Sequence, residues 1–155
     1  MSSIKLDEID LNILKHIQND ARITNLELSN QIGLSPGPTL ERVKKLEKAH
    51  IIEGYYAELN KQKLKFGIIA FIEVNLSRQV DNVINRFKEK IQSTNEIMEC
   101  YQITGNADFI LKVVVRDMAA FEKLISEKLS KIEEIGSMHT SIVISEAKNS
   151  KKLPL

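Results

Sequence analysis

The sequence contains very little of what marks a secreted or membrane-spanning protein. It has a single cysteine, Cys100, so no disulfide can form within the chain. No charged and apolar leader followed by small residues stands at its N-terminus. The longest apolar run, residues 66–76, is far shorter than the roughly 20 residues that cross a bilayer, and it includes Glu73. We therefore expect a cytoplasmic protein without a membrane span.

An excess of one charge is also missing. The 155 residues carry 22 basic and 21 acidic side chains, a net charge of +1, so the whole protein gives no electrostatic argument for a polyanionic partner. Locally the balance differs, because seven basic residues face four acidic ones between positions 35 and 66. Any argument for nucleic-acid binding must therefore come from local clustering of charge, and this segment concentrates positive charge.

Three capped helices in a row are predicted for the first 50 residues. Asp7 is placed to cap the first, and Thr24 with Glu27 forms a capping box at the start of the second, which Gly33 ends. The third runs from Ser35 to about residue 49 and is expected to bury Leu40, Val43 and Leu46. Three short helices with a glycine-containing turn before the last are typical of a helix-turn-helix.

The third helix begins in an unusual way, with Pro36 and Pro38 on either side of Gly37. Proline lacks a backbone donor, but the first N–H groups of a helix have no partner within the helix, so both prolines are tolerated there. We expect the Ser35 hydroxyl to cap Gly37, and the tip to present a rigid, small and apolar face to DNA.

The remaining chain alternates strands and helices. The predicted elements are strands at 68–76, 97–104, 109–116 and 137–145, and helices at about 80–92 and 118–129. This order, βαββαβ, indicates a ferredoxin-like sandwich with both helices on one face of a four-stranded antiparallel sheet. Strand 109–116 is apolar at nearly every position, so the other face also needs a cover, and a partner subunit would provide one.

The overall fold class is therefore α+β, with an N-terminal helix-turn-helix domain followed by a βαββαβ ferredoxin-like sandwich domain. We predict the DNA-binding domain at residues 1–52, a linker strand with a basic connector at 53–67, and an effector-binding and oligomerisation domain at 68–155.

A helix-turn-helix places the N-terminal side chains of its last helix against base edges in the major groove of double-stranded DNA. Arg42 can contact guanine or phosphate, while lysines 44 and 45 suit phosphate. The candidate DNA-binding residues are Ser35, Pro36, Gly37, Pro38, Thr39, Arg42, Lys44 and Lys45. The alternative is a solvated basic helix in a small structural bundle, and Glu41 and Glu47 dilute the positive patch.

No pattern of an enzyme or a metal site stands out. His16, His50 and His139 lack metal-ligand spacing, Cys100 has no CxxC partner, and no serine lies in a G-x-S-x-G elbow. No catalytic residue, metal or cofactor is assigned. The segment "TGNAD", residues 104–108, could hold an amino acid through exposed N–H groups and Asp108; an ordinary hairpin in which Asp108 satisfies its own backbone is the alternative.

These motifs together resemble the Lrp/AsnC, or feast/famine, family of transcription regulators. The resemblance covers nearly the whole chain and rests on "LDEIDLNILKHIQNDARIT", "LSPGPTLERVKKLEKAHII", "ITGNADFILKV" and "SMHTSIVISE". It implies a DNA-binding domain, a linker strand, and a ligand-sensing ferredoxin-like domain that forms homodimers and often octamers.

The resemblance also implies an amino acid effector bound near the hairpin and the last strand. The matching positions are Thr104, Gly105, Asn106, Ala107, Asp108, Met138 and Thr140. Many members carry Thr-x-Thr where this chain has Met138-His139-Thr140, so an apolar group replaces one hydroxyl and favours leucine or methionine. The competing readings are a ligand-independent architectural DNA-binding protein and a ferredoxin-like enzyme or its regulatory subunit. A phosphatase of that fold would need a glycine-rich anion loop, which does not accompany Arg78.

Overall fold

A computed structural model describes residues 5–155. The chain divides into two compact units. Unit 1 comprises Met1–Glu58 together with Lys148–Leu155, and unit 2 comprises Leu59–Ala147. The sequence-based boundaries differ in two respects, since the predicted linker 53–67 is divided between the units after Glu58, and residues 148–155 are predicted in the second domain. They follow the last strand in the sequence, and nothing in their composition points back to the first helices.

Unit 1 contains α1 (Glu8–Asn19), α2 (Asn25–Ile32) and α3 (Pro36–Lys48). The predicted start signals are confirmed: the Asp10 N–H donates to Asp7 Oδ1 (2.8 Å), and Thr24 and Glu27 form a capping box. Gly33 ends α2 in the left-handed region, with φ of 71°, where glycine carries no Cβ penalty. Local sequence therefore determines where α1 and α2 begin and where α2 ends.

Helix α3 departs from the prediction at two side chains. The Ser35 hydroxyl makes no capping hydrogen bond; instead the Ser35 carbonyl accepts from the N–H (3.2 Å) and the hydroxyl (2.9 Å) of Thr39. Leu40 is 41% exposed, whereas Thr39 is fully buried. Positions 39, 43 and 46 form the inward stripe at helical spacing, so choosing the leucine over the threonine as the buried residue was wrong.

The residues after α3 do not form the strand that their β-branched and aromatic content predicted. Positions 53–59 belong to no described strand. Tyr56 is 83% exposed and Leu59 67% exposed. A strand requires a neighbour for its ladder, and within the described chain this segment has none.

Unit 2 has the predicted βαββαβ order. Its elements are β1 (Ile68–Leu76), α4 (Asp81–Gln92), β2 (Ile97–Gln102), β3 (Phe109–Val115), α5 (Met118–Lys123) and β4 (Ile135–Ile142). A π turn, Leu124–Lys128, and a 3-10 turn, Leu129–Lys131, extend α5. The sheet order is β2-β3-β1-β4 with every neighbouring pair antiparallel, as in a ferredoxin-like sandwich.

Fifteen apolar residues between the sheet and the helices form the core of unit 2. Phe87 of α4 and Phe109 of β3 meet there, with ring centroids 4.8 Å apart. On β1, Ala70, Ile72 and Val74 point into this core. Phe71, which lies between two of these residues in the sequence, points to the opposite face of the sheet and is 38% exposed. Among residues 5–155, no helix combines the length and hydropathy required to cross a membrane.

Candidate DNA interface and effector pocket

The start of α3 forms an exposed tip with few hydrogen-bond donors. Residues 35–38 are all exposed, and Leu40 adds an apolar side chain one turn further on. The Asn25 side chain donates from Nδ2 to the Pro36 carbonyl (2.8 Å), which ties the start of α2 to the start of α3. The tip is therefore small, apolar and fixed in place by a hydrogen bond from the neighbouring helix.

Arg42 is held inside unit 1 by two carboxylates. Its Nη1 donates to Asp7 Oδ2 (2.8 Å) and to Asp10 Oδ1 (2.6 Å), so it links α3 to the start of α1. Asp10 is 1% exposed, while the Arg42 side chain is 29% exposed. The hydrogen bonds that Arg42 donates to Asp7 and, next in size of effect, to Asp10 raise the pKa of Arg42. A hydrogen bond from the Asp10 backbone, followed by one from Arg42, lowers the pKa of Asp7. The guanidinium thus has a structural partner before any DNA arrives.

The other predicted DNA contacts differ in how available they are. Thr39 is buried, and its hydroxyl is used by the Ser35 carbonyl. Lys44 pairs with Glu41 at 3.2 Å, with both side chains largely exposed. Lys45 is exposed, and no hydrogen bond or ion pair joins its side chain to residues 5–155. Lysines 44 and 45 are therefore free to meet phosphate, since an exposed pair such as Lys44–Glu41 exchanges partners at little cost.

In unit 2 the hairpin between β2 and β3 is built around Gly105 and Asp108. Gly105 has φ of 124°, a conformation that side-chain-bearing residues rarely adopt. Asp108 Oδ2 accepts from the Leu76 N–H (2.8 Å), and Oδ1 accepts from Gln79 Nε2 (2.6 Å). The Asp108 N–H in turn donates to the Val74 carbonyl (3.0 Å). Asp108 therefore prolongs the β1–β3 ladder, and both of its carboxylate oxygens are occupied.

A cavity of about 270 Å³ opens beside this carboxylate. Four apolar residues, Leu76, Ile84, Ile103 and Phe109, form part of its wall, and Gln79, Gln102 and Asp108 supply polar groups. This volume lies just below the usual range for small-molecule pockets, and an apolar wall with a few polar groups is typical of them. The cavity is therefore a candidate ligand site in unit 2.

The predicted effector residues are only partly brought together. Three of them, Gly105, Ala107 and Asp108, line the cavity, whereas Thr104 and Asn106 lie exposed in the same hairpin. Met138 and Thr140 lie on β4, paired with Val74 and Ile72 of β1, outside the cavity lining. Met138 packs against the core of unit 2.

The sequence-based set missed the cavity residues contributed by β1, α4 and the ends of β2 and β3. Gln79 and Gln102 are the informative omissions, because they are polar residues beside an apolar wall. Their positions, three residues after the first predicted strand and close to the end of the second, were the available signal. Which strand ends converge, however, depends on sheet order, and single-sequence periodicity does not contain it.

Two further observations concern chemistry other than ligand binding. Burial raises the pKa of the Cys100 thiol, which keeps it protonated and agrees with a small packing residue rather than a nucleophile. Within residues 5–155, no three histidine, cysteine or carboxylate side chains cluster in a way that could hold a metal ion.

The chain matches two families of protein domain. Residues 69–153 match the Lrp/AsnC ligand binding domain, and residues 6–53 match a winged helix-turn-helix DNA-binding domain. Over 148 residues the chain is 42% identical to the leucine-responsive regulatory protein of Escherichia coli strain K12, covering 96% of this chain and 90% of that protein.

Solved structures agree with these matches. A transcriptional regulator from Neisseria meningitidis, solved as a complex with L-Met, has 33% sequence identity and a TM-score of 0.93, with 97% of each chain covered. AsnC of Escherichia coli has 28% identity and a TM-score of 0.88, covering 96% of this chain and 98% of that one.

Proposed function

The chain belongs to the Lrp/AsnC family of transcription regulators, and we propose that it binds specific DNA sequences and that leucine or methionine modulates this binding or the assembly of the protein. The observation that carries the proposal is the presence, in one chain, of an exposed helix-turn-helix tip and of a cavity beside Asp108 in the ligand-binding domain. Regulators that work on DNA act where the DNA is, so the proposal places the protein in the cytoplasm. It assigns no catalytic role, in line with relatives that are named as regulators.

For DNA, the proposal places residues 35–38 and Leu40 in the major groove and lysines 44 and 45 on phosphates. The exposure of this tip and of Lys45 supports these contacts. Thr39 and Arg42 act differently, because one is buried and the other is bound to two carboxylates. Both hold α3 in position, and Arg42 reaches DNA only with whichever guanidinium nitrogens remain outside these ion pairs.

For the effector, the proposal places the apolar side chain against Leu76, Ile84 and Phe109. The α-ammonium group would take the place of the Gln79 amide on Asp108, and the exposed hairpin N–H groups near Gly105 would receive the carboxylate. Leucine and methionine fit this wall better than lysine or asparagine, because a polar side chain would lose its hydration against apolar carbon. Thr104, Asn106, Met138 and Thr140 would contribute only after assembly brings further surface to the cavity.

For assembly, the proposal is a homodimer that associates further, up to an octamer. Support comes from the sheet face opposite the helices, where Phe71 is 38% exposed and its neighbours on β3, Ile110 and Val114, are only partly covered. A second copy of this face would cover these apolar side chains. Lys112 and Glu99 on the same face already form an ion pair with each other (2.9 Å), so a covering subunit would bury these two charges as a pair.

The satisfied state of Asp108 favours a second candidate, a ligand-independent architectural DNA-binding protein. With both oxygens already engaged by Leu76 and Gln79, the hairpin needs no ligand to complete its hydrogen bonds. The two candidates differ in one measurable property, the response to an amino acid.

The deciding experiment is a footprint and gel shift on DNA upstream of the protein's own gene, with each of the twenty amino acids added in turn. We expect a specific footprint whose affinity, or whose oligomer distribution in sedimentation, shifts with leucine or methionine. Asp108→Asn should abolish the shift while leaving the footprint, and Asp81→Asn, on exposed α4 surface, serves as the matched control. A footprint that no amino acid alters would establish the architectural candidate; the absence of any specific footprint would overturn the proposal.

A further inference from the structure

The last eight residues of the chain, Lys148–Leu155, form part of unit 1 although they follow β4 of unit 2. We call this segment the C-terminal tail. The chain thus leaves the helix-turn-helix unit at Glu58 and returns to it at Lys148. The tail contains three lysines, Lys148, Lys151 and Lys152, and no acidic side chain.

The tail is attached to the end of α1 by specific hydrogen bonds. Gln18 Nε2 donates to the Leu153 carbonyl (3.1 Å), and the Leu153 N–H donates back to Gln18 Oε1 (3.0 Å). Lys152 Nζ donates to Asn19 Oδ1 at 2.6 Å. A side-chain amide that pairs with both the N–H and the C=O of one residue selects a single register for the tail. The attachment is therefore a defined contact rather than a loose end lying on the surface.

The tail changes the sign of the charge on unit 1. Residues 1–58 carry seven basic and nine acidic side chains, a net of −2, and the three tail lysines bring the unit to +1. Arg42, on the helix proposed to meet DNA, is already paired with Asp7 and Asp10 and so adds no unpaired positive charge. A unit proposed to bind a polyanion would be acidic without its tail.

The tail is attached where α1 ends, and α1 is followed in the sequence by the two helices of the helix-turn-helix. Helix α1 ends at Asn19, directly beside the attachment, and α2 starts six residues later at Asn25. Asn25 in turn donates its side-chain N–H to Pro36 at the tip of α3. In a helix-turn-helix the start of the last helix meets base edges and the neighbouring helix crosses the sugar-phosphate backbone.

We propose that the C-terminal tail is a working part of the DNA-binding surface, whose lysines contact or attract phosphates beside the helix-turn-helix. The inference rests on the proposed DNA-binding function and extends it to a segment that carries no helix-turn-helix motif. Lys152 is bound to a neutral amide, so its charge is uncompensated. Lys151 lies 4.0 Å from Glu58 in a pair whose side chains are more than 70% exposed, and Lys148 has no side-chain partner within residues 5–155.

The charge variant tests this directly. Lys148, Lys151 and Lys152 are changed together to Gln, and the matched control changes Lys123, Lys128 and Lys131, three exposed lysines of unit 2 outside the segment 35–66, in the same way. Binding to one DNA duplex is measured from low to high salt. Each lost phosphate contact lowers the slope of log affinity against log salt by about 0.9, so we expect the tail variant to lose one to three such increments and the control to keep the wild-type slope. Equal slopes for the two triple variants would overturn the proposal.

A second variant keeps every lysine and removes only the attachment. Gln18→Ala deletes both hydrogen bonds to Leu153, and Asn12→Ala on the same helix is its control. We expect Gln18→Ala to weaken DNA binding by part of the loss seen in the charge variant, and to speed hydrogen exchange at the Leu153 amide. Faster exchange at Leu153 with unchanged DNA affinity would show that attachment of the tail to α1 has no part in DNA binding, and would overturn the proposal. If the wild-type protein itself binds no specific duplex, the proposed function fails first, which is a different outcome from equal slopes.

Discussion

Four apolar side chains form the buried core of unit 1, whereas fifteen form that of unit 2. Unit 1 compensates with polar contacts between its elements: the Arg42 ion pairs, two capping boxes, the Asn25–Pro36 hydrogen bond and the attached tail. Unit 2 has such contacts too, around Glu134 and Asp108, but they lie at the edge of a larger apolar interior. Small domains bury a smaller share of their surface on folding, so hydrogen bonds and ion pairs supply a larger share of their stability.

The difference teaches where each unit is sensitive. In unit 2, stability should follow the volume of buried side chains, because burial of apolar area dominates there. In unit 1, it should follow single hydrogen bonds and ion pairs, which also orient α3 for DNA. In such a unit, a change of charge can alter the orientation of α3 without any change in the packing of a hydrophobic core.

The largest effect should come from the core of unit 2. Phe87→Ala removes a fully buried ring that contacts Phe109, and we expect a loss of about 3–5 kcal/mol in the free energy of unfolding of unit 2. Urea denaturation followed by a probe in unit 2 measures it. Ile144→Ala is the control, since Ile144 is a fully exposed apolar residue of unit 2 that follows β4. If both variants lost the same free energy of unfolding, burial in the core would not determine the stability of unit 2, and core size would not explain the contrast between the two units.

The middle effect should come from the polar contacts of unit 1. Asp10→Ala removes the carboxylate that accepts from the Asp7 N–H in the capping box of α1 and holds Arg42, and we expect a loss of about 1–3 kcal/mol in the stability of unit 1. DNA affinity should fall as well, because α3 loses its tie to α1. Glu8→Ala, exposed in the same first turn, is the control. Thermal unfolding of both variants, followed in unit 1, would contradict the expectation if Asp10→Ala matched the control.

This contrast also explains how far the sequence could predict the molecule. Caps and strand alternation are local, so Asp7, Thr24, Gly33 and the βαββαβ order were predicted and confirmed. The burial of Thr39 in place of Leu40 was missed, because two neighbouring positions on a helix differ by only 100° and hydrophobicity favoured the wrong one.

Contacts between distant residues could not be predicted from periodicity. Arg42 was predicted to contact DNA, and its ion pair with Asp10 joins residues 32 apart in the sequence. Asp108 and Leu76 are also 32 apart, and Gln18 and Leu153 are 135 apart. Each pairing depends on how helices or strands are arranged in space, which no spacing in one sequence encodes. A single sequence can therefore name candidate side chains for a site more readily than the partners that those side chains bind.

The smallest effect should be the pH dependence of the ion pairs around Glu134 in unit 2. Glu134 is 5% exposed. Its carboxylate accepts a hydrogen bond from Lys90 Nζ (2.6 Å) and forms an ion pair with Arg86 Nε (3.2 Å). The hydrogen bond from Lys90 is the main cause that lowers the pKa of Glu134 below the usual 4.5. A lowered pKa in the folded state stabilises unit 2 above pH 4.5, and this contribution disappears as the pH falls through the folded value.

Both cations are largely exposed, so solvent screens the pair and we expect an effect of no more than about 1 kcal/mol. Glu134→Gln should therefore lower the melting temperature of unit 2 slightly at pH 7, and the difference from wild type should vanish toward pH 3. Melting curves for unit 2 between pH 7 and pH 3 check the sign. Glu89→Gln, exposed on the same helix as Lys90, should track the wild type throughout. If the difference in melting temperature between the wild type and Glu134→Gln widened as the pH fell, the charged Glu134 carboxylate would be destabilising in folded unit 2.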